Sequence, residues 1–188
     1  VVNADESEPG TCKDMPLLLA NPHSLIEGII IGSYAIRANH AFIYIRGEVA
    51  HVIRRVQQAI EDAYTAGLLG KNILGKGFDL ELVLHVGAGA YICGEETALL
   101  ESIQGRRGGV RAKPPLPALE GLWGKPTVVN NVLSLGTLPA ILAQGAAAYQ
   151  AIGTGRSRGT QPVQLAGNVR HGGLLELPFG VTVQQVVH

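Results

Sequence analysis

Short apolar strand patterns alternate with longer helical ones through the first three quarters of this chain, and that alternation restricts the fold more than any other feature. Ala41 to Ile45 is a short run of aromatic and β-branched residues, the mark of a strand. From Ala50 to Ala66 the period changes to that of a helix, with Val52, Val56, Ile60 and Ala63 on one stripe and Gly67 as its stop. Leu80 to Val86 is again an apolar strand, with only Glu81 and His85 polar. Before these, Val1–Ala4 reads as a strand end, and Asn21-Pro22 starts a helix by a cap and a first-turn proline. Leu25, Ile26, Ile29, Ile30, Tyr34 and Ile36 give that helix a broad apolar face and predict that it is mostly buried. Further helices are expected over Gly94 to Ile103 and Asn130 to Ala143. Such alternation predicts α/β layers around a parallel sheet, with right-handed crossovers.

The composition agrees. Of 188 residues, 46% are hydrophobic and 16% charged, enough apolar matter for a real core. Fifteen basic and fifteen acidic residues cancel, which leaves no electrostatic footprint for nucleic acid or an anionic membrane. No apolar run reaches the length that spans a bilayer, so direct membrane insertion is not expected. Cys12 and Cys93 cannot furnish a four-thiolate zinc or iron–sulfur site. The chain opens on Val1-Val2-Asn3 without an initiator Met and reads as an internal part of a longer polypeptide. The polar, glycine-rich stretch Gly153 to Thr160 reads as a linker, with a domain boundary near residue 155. After it, Val163–Ala166 and Gly173–Leu177 predict a strand pair, and Thr182 the cap of a following helix.

Several segments carry possible chemistry. Gly70 to Gly77 nearly matches a phosphate-binding loop, but Gly77 replaces the required hydroxyl and the segment follows a helix instead of a strand; it reads as a plain connection. The run Gly87-Ala88-Gly89-Ala90-Tyr91-Ile92-Cys93-Gly94-Glu95-Glu96 follows a strand and opens a helix, the context of a nucleotide site. Its two glutamates, expected in the first helical turn, would repel a phosphate and suit hydroxyls, amides or ring N–H groups. The acidic loop from Asn3 through Asp5, Glu6 and Glu8 lies beyond a strand end, where open α/β sheets bind ligands. Arg106, Arg107, Arg111 and Lys113 form a basic loop, and Asn130-Asn131 places two amides at an expected helix start.

Read together, VVNADESEPGTCKD, GAGAYICGEETALLESIQGRRG, KPPLPA and GKPTVVNNV resemble, in sequence and in order, the NADH-binding flavoprotein subunits of respiratory complex I, the bacterial NADH–quinone oxidoreductase. The run GTGRSRGTQPVQLAGNVRHGGL is similar to the homologous β subunit of NAD-dependent formate dehydrogenase, and NAD-reducing hydrogenases share the module. The resemblance implies a Rossmann-like FMN- and NADH-binding layered domain over residues 1–155, its N-terminal glycine-rich loop lying outside this chain. It then implies the start of a ubiquitin-like β-grasp (SLBB) domain over residues 156–188. It implies an FMN-dependent NADH dehydrogenase subunit that passes hydride between NADH and FMN and single electrons to iron–sulfur clusters and quinone. The same site run toward NAD⁺, and a non-catalytic structural homologue, are the alternatives. By the motif match Asn3, Asp5 and Glu6 line the flavin, and Gly87, Tyr91, Gly94, Glu95 and Glu96 lie along it. Lys113, Asn130 and Asn131 lie toward the ribityl chain and phosphate, and Glu8 sits by the NADH ribose. No side chain is expected to act as acid or base. The implied [4Fe-4S] cluster has its ligands outside this chain. The implied partners are the other subunits of a cytoplasmic complex, free or peripheral on the inner membrane, above all a small iron–sulfur protein. Where the family commonly has Phe in K-P-P-F-P, this chain has Leu116.

Overall fold

The structure is a computed structural model that describes residues 1–187. Four strands, β1 (Val2–Ala4), β2 (His40–Arg46), β3 (Glu81–Gly87) and β4 (Asn130–Asn131), form one parallel sheet in the order β3-β2-β1-β4. Its registers pair Asn3 with Tyr44 and Asn131, and Tyr44 with His85. Strand β2 shows why the sheet is covered on both faces. Ala41, Ile43 and Ile45 enter one core cluster, while Tyr44 and its neighbour Phe42 belong to the other.

The first face is covered by α1 (Met15–Ala20), α2 (Pro22–Ile36), α3 (Ala50–Thr65) and α5 (Val132–Gly136). Helix α3 buries the expected stripe, Val52, Val56, Ile60 and Ala63, together with Ala59. Helix α2 and α5 approach closely: a Cβ on Gly28 would lie 1.9 Å from the Leu135 carbonyl oxygen, so only glycine fits there. The second face carries α4 (Glu96–Ile103), which buries Leu99, Leu100 and Ile103 against Tyr44.

The structure departs from expectation at several places. Helix α2 buries Leu25, Ile26 and Ile29, but Tyr34 and Ile36 near its end are exposed, Ile36 on a cavity of about 730 Å³ with Phe42 and Trp123 in its wall. Helix α1 had no counterpart in the periodicity, being a single short run broken from α2 by Asn21. Asn130 and Asn131 belong to β4, not to a helix, since the chain must first pair with β1 before α5 begins. The helix expected as far as Ala143 breaks at Thr137 into α5 and α6 (Leu138–Gln144), with α7 (Ala146–Gln150) beyond Gly145. Gly153 to Thr160 is no linker: β5 (Gly153–Thr154) and β6 (Ser157–Arg158) pair antiparallel there. Next, β7 (Thr160–Leu165) and β8 (Gly173–Pro178) form the expected hairpin, and Thr182 caps α8 (Val183–Val187) through a 3.2 Å bond from the Gln185 N–H.

Candidate functional site

The chain leaves β1 toward β2 and β3 on one side and returns to β4 on the other, which makes the β1–β4 border the switch point of the sheet. In open α/β sheets the crevice beyond the strand carboxyl ends at that point is the ligand seat. The loop after β1, the loop after β3 and the Asn130-Asn131 pair meet there. Asn3 Nδ2 donates to the Gly94 carbonyl at 2.8 Å, tying the first loop to the second. Asn131 Nδ2 donates to Asp14 Oδ2 at 2.8 Å and to the Asn3 carbonyl at 3.3 Å, while its Oδ1 accepts the Leu133 N–H and starts α5. Asn130 contributes through its strand backbone beside Val2.

Within this frame Asp5 is the unusual group. Its Oδ1 accepts from the Ser7 hydroxyl. Its Oδ2 is buried and, among the described residues, has no hydrogen-bond partner. Burial pushes the Asp5 carboxyl above its ordinary range, against the pull of Ser7 and of Arg46. A buried acceptor without a donor is costly unless a partner arrives from outside the chain. Glu6 next to it is engaged: its carboxylate accepts the Lys13, Asp14 and Met15 N–H groups at 2.7–3.2 Å and holds the start of α1. Glu8 lies farther out, exposed, and accepts the Tyr91 phenol hydroxyl, which raises the Tyr91 pKa.

The loop after β3 runs through a 3-10 turn at Tyr91–Gly94, so Glu95 is the N-cap of α4 and only Glu96 stands in its first turn. The Glu95 carboxylate accepts the Thr97 N–H at 2.8 Å and the Ala98 N–H at 3.0 Å. Burial alone would raise the Glu95 pKa, but the Thr97, Ala98 and Lys113 hydrogen bonds outweigh it and hold the carboxyl below its ordinary value. Lys113 bonds both Glu96 and Glu95, the latter at 3.3 Å, and Glu96 foremost raises its pKa. Gly87 owes its identity to packing, since a Cβ there would lie 2.4 Å from the Tyr44 hydroxyl.

Arg46 and Glu48, which no sequence motif marked, also stand at this strand end. Arg46 Nη1 donates to the Glu6 carbonyl at 2.8 Å and its Nε to Glu48 at 3.2 Å. Arg46 is the last residue of β2 and Glu48 lies two residues beyond it, and isolated polar residues at such a place leave no pattern in the sequence. Two other cations of the basic loop, Arg111 and Arg106, pair with Glu101, at 2.5 and 3.6 Å. The net result is a strand end rich in carboxylates, of which Asp5 Oδ2 is the buried oxygen still without a donor among the described residues. Among the described residues no His, Cys, Asp and Glu cluster is arranged to hold a metal. No helix of the described residues is long and apolar enough to cross a membrane.

Comparison with known proteins shows the family. The chain is 59% identical over its whole length to the F subunit of NADH-quinone oxidoreductase of Streptomyces coelicolor, and 51% identical over 98% of its length to that of Escherichia coli. It spans 42% of the length of each of these relatives. It superimposes on a chain of an NAD⁺-reducing [NiFe]-hydrogenase, in a crystal structure of the H2-reduced state, with a TM-score of 0.90 and 41% identity, covering 99% of this chain and 31% of that one. Residues 1–140 match the Nuo51 FMN-binding domain, and the chain belongs to that family.

Proposed function

We propose that this chain is the flavin- and NADH-binding part of an FMN-dependent NADH dehydrogenase subunit that works within a larger complex. The observation that carries the reading is Asp5 Oδ2, a buried acceptor without a partner among the described residues, at the switch point of a sheet whose family binds FMN. FMN bound there supplies the exchange of hydride with a nicotinamide ring and the release of single electrons toward iron–sulfur clusters. The chain's own residues bind and orient. Asp5 offers its free oxygen to a ring N–H, and Asn3, Asn131 and Gly94 hold the two loops at a fixed spacing around it. Glu6 fixes the first loop from below. Glu95, Glu96 and Lys113 form the polar wall on the side of α4, where Lys113 would have to leave its two glutamates to meet a phosphate. Glu8 and Tyr91 stand at the outer rim, where a carboxylate accepts ribose hydroxyls and repels a 2′-phosphate, so NADH is preferred over NADPH.

The parts of the relatives beyond this chain give the rest of the reading. A [4Fe-4S] cluster would be held by residues outside it, and the electrons would pass to quinone through other proteins of the complex, beginning with a small iron–sulfur protein. The change from a parallel sheet to antiparallel hairpins after α7 supports a second unit, read as the beginning of a β-grasp domain; because β5 and β6 pair across residue 155, its start is drawn back to Gly153. The superposition on the hydrogenase supports a second reading, in which the same site reduces NAD⁺. The test uses the full-length protein in its complex, purified anaerobically. NADH should bleach the flavin absorbance and NADPH should not; a folded complex without flavin would overturn the proposal. Reduction of NAD⁺ with hydrogen or formate as the electron donor, and no reduction of quinone by NADH, would favour the second reading.

A further inference from the structure

The loop that carries Glu8 is held at three points, and one of them comes from far along the chain. Glu6 takes the N–H groups of Lys13, Asp14 and Met15, and Arg46 takes the Glu6 carbonyl. Between these anchors the loop turns at Gly10, and the Thr11 N–H bonds the Glu8 carbonyl at 3.1 Å. The third anchor is Gln164, on β7. Its Oε1 accepts the Cys12 N–H at 2.8 Å, and its Nε2 donates to the Gly10 carbonyl at 2.7 Å, with Cys12 Sγ at 3.1 Å. The amide thus engages a donor and an acceptor two residues apart, as a neighbouring strand would. A primary amide suits this place because it offers both functions in one plane.

We infer that Gln164 is a positioning residue for coenzyme binding: it clamps the turn at Gly10–Cys12 and thereby sets the Glu8–Tyr91 pair at the rim of the site. This rests on the reading of Glu8 as the ribose acceptor. The β7–β8 hairpin is then part of the site's construction, not a separate appendage. Glutamate cannot replace the glutamine, since a carboxylate in this pose would face the Gly10 carbonyl with no proton to share.

The test compares Gln164→Ala, Gln164→Glu and Glu8→Gln in the full-length protein within its complex. Two quantities are read: amide hydrogen exchange over residues 8–13, and steady-state constants with NADH and NADPH. Loss of the clamp should speed exchange at the Cys12 amide by about tenfold and raise KM for NADH by about three- to tenfold, with less effect on kcat. Flavin content serves as the check of folding. Exchange that is unchanged in both Gln164 variants overturns the clamp. Faster exchange without a change in NADH KM, beside a Glu8→Gln variant that does lose its coenzyme preference, overturns the positioning role. A Glu8→Gln variant that keeps its preference defeats the ribose reading alone, and faster exchange in the Gln164 variants then still supports the clamp.

Discussion

Two glycine-rich loops flank β3, and they have opposite fates. The loop that leads into the strand, Gly70 to Gly77, turns its polar groups on itself. Asp79 accepts the Asn72 N–H at 2.8 Å and the Lys71 ammonium at 3.0 Å, and the Gly77 N–H goes to Asn72 Oδ1 at 2.8 Å. A carboxylate already occupies the position a phosphate would need. The loop that leaves the strand, Gly87 to Glu95, ends in a 3-10 turn whose last carbonyl, on Gly94, is bound by Asn3. That contact brings the loop over Asp5: a Cβ on Gly94 would lie 3.9 Å from the orphaned Oδ2. Glycine content is similar in the two. What separates them is the end of the strand on which they lie, because only the carboxyl end opens onto the switch point.

The comparison breaks most severely at Gly87, the first residue of the second loop. Gly87→Ala would drive a methyl into the Tyr44 hydroxyl, which itself pairs with Ser102 at 2.9 Å. A loss of about 1–3 kcal/mol is expected, the usual cost of overpacking, seen as a lower Tm of the full-length protein. Glu95→Ala comes next, because it removes a helix cap; about 0.5–2 kcal/mol should be lost. The pH dependence separates cap from charge. The folded Glu95 binds its proton less readily than its ordinary value of 4.5 implies. Its contribution is therefore complete above that value and is lost as pH falls through the lower, folded one. Glu95→Gln should flatten the acid limb of stability measured by denaturant titration between about pH 5 and pH 3, the span around the carboxylate values. An unchanged limb would show that the charge is idle.

Asp5→Asn sharpens the contrast at the site itself. The substitution offers an NH2 donor where an acceptor now stands free, so flavin retention should weaken by about tenfold while the apoprotein melts no lower. Equilibrium dialysis of FMN reads the first quantity and calorimetry the second. Retention equal to that of the wild type would mean that Oδ2 meets no donor.

The parts legible in the sequence are those with enough residues to show a period. The stripe of α3 and the aromatic and β-branched run of β2 are long enough to be visible in the sequence. Strand β4 has two residues, too few for alternation, and its pairing with β1 is a contact across more than a hundred positions. Asn131 illustrates the consequence. Its place at a helix start is right, but its second role, bridging Asp14 and the Asn3 carbonyl, depends on the sheet. Arg46, Glu48 and Gln164 were missed for the same reason: a single polar residue at or just past a strand end, or within a hairpin, has no local signature. Family motifs pointed to Asp5, but the free oxygen that distinguishes it from Glu6 is visible only in three dimensions.

The mildest substitution, Asp79→Asn, tests the comparison from the other side. The Asp79 carboxyl is held below its ordinary range first by the Asn72 N–H and then by Lys71, whose own pKa it raises. Both partners lie at the surface, where such pairs contribute little. Asparagine keeps an oxygen for the Asn72 N–H and gives up only the charge. If the first loop is a plain connection, flavin content and KM for NADH should match the wild type, and stability should change least of all these variants. The loop would also remain unable to hold a phosphate after the acid is removed, because the Ile73, Gly75 and Lys76 N–H groups stay bound to the Phe78, Asn72 and Ile73 carbonyls. Phosphate binding gained in Asp79→Asn, read by calorimetric titration with ATP, would show that only the carboxylate had kept that loop from being a site.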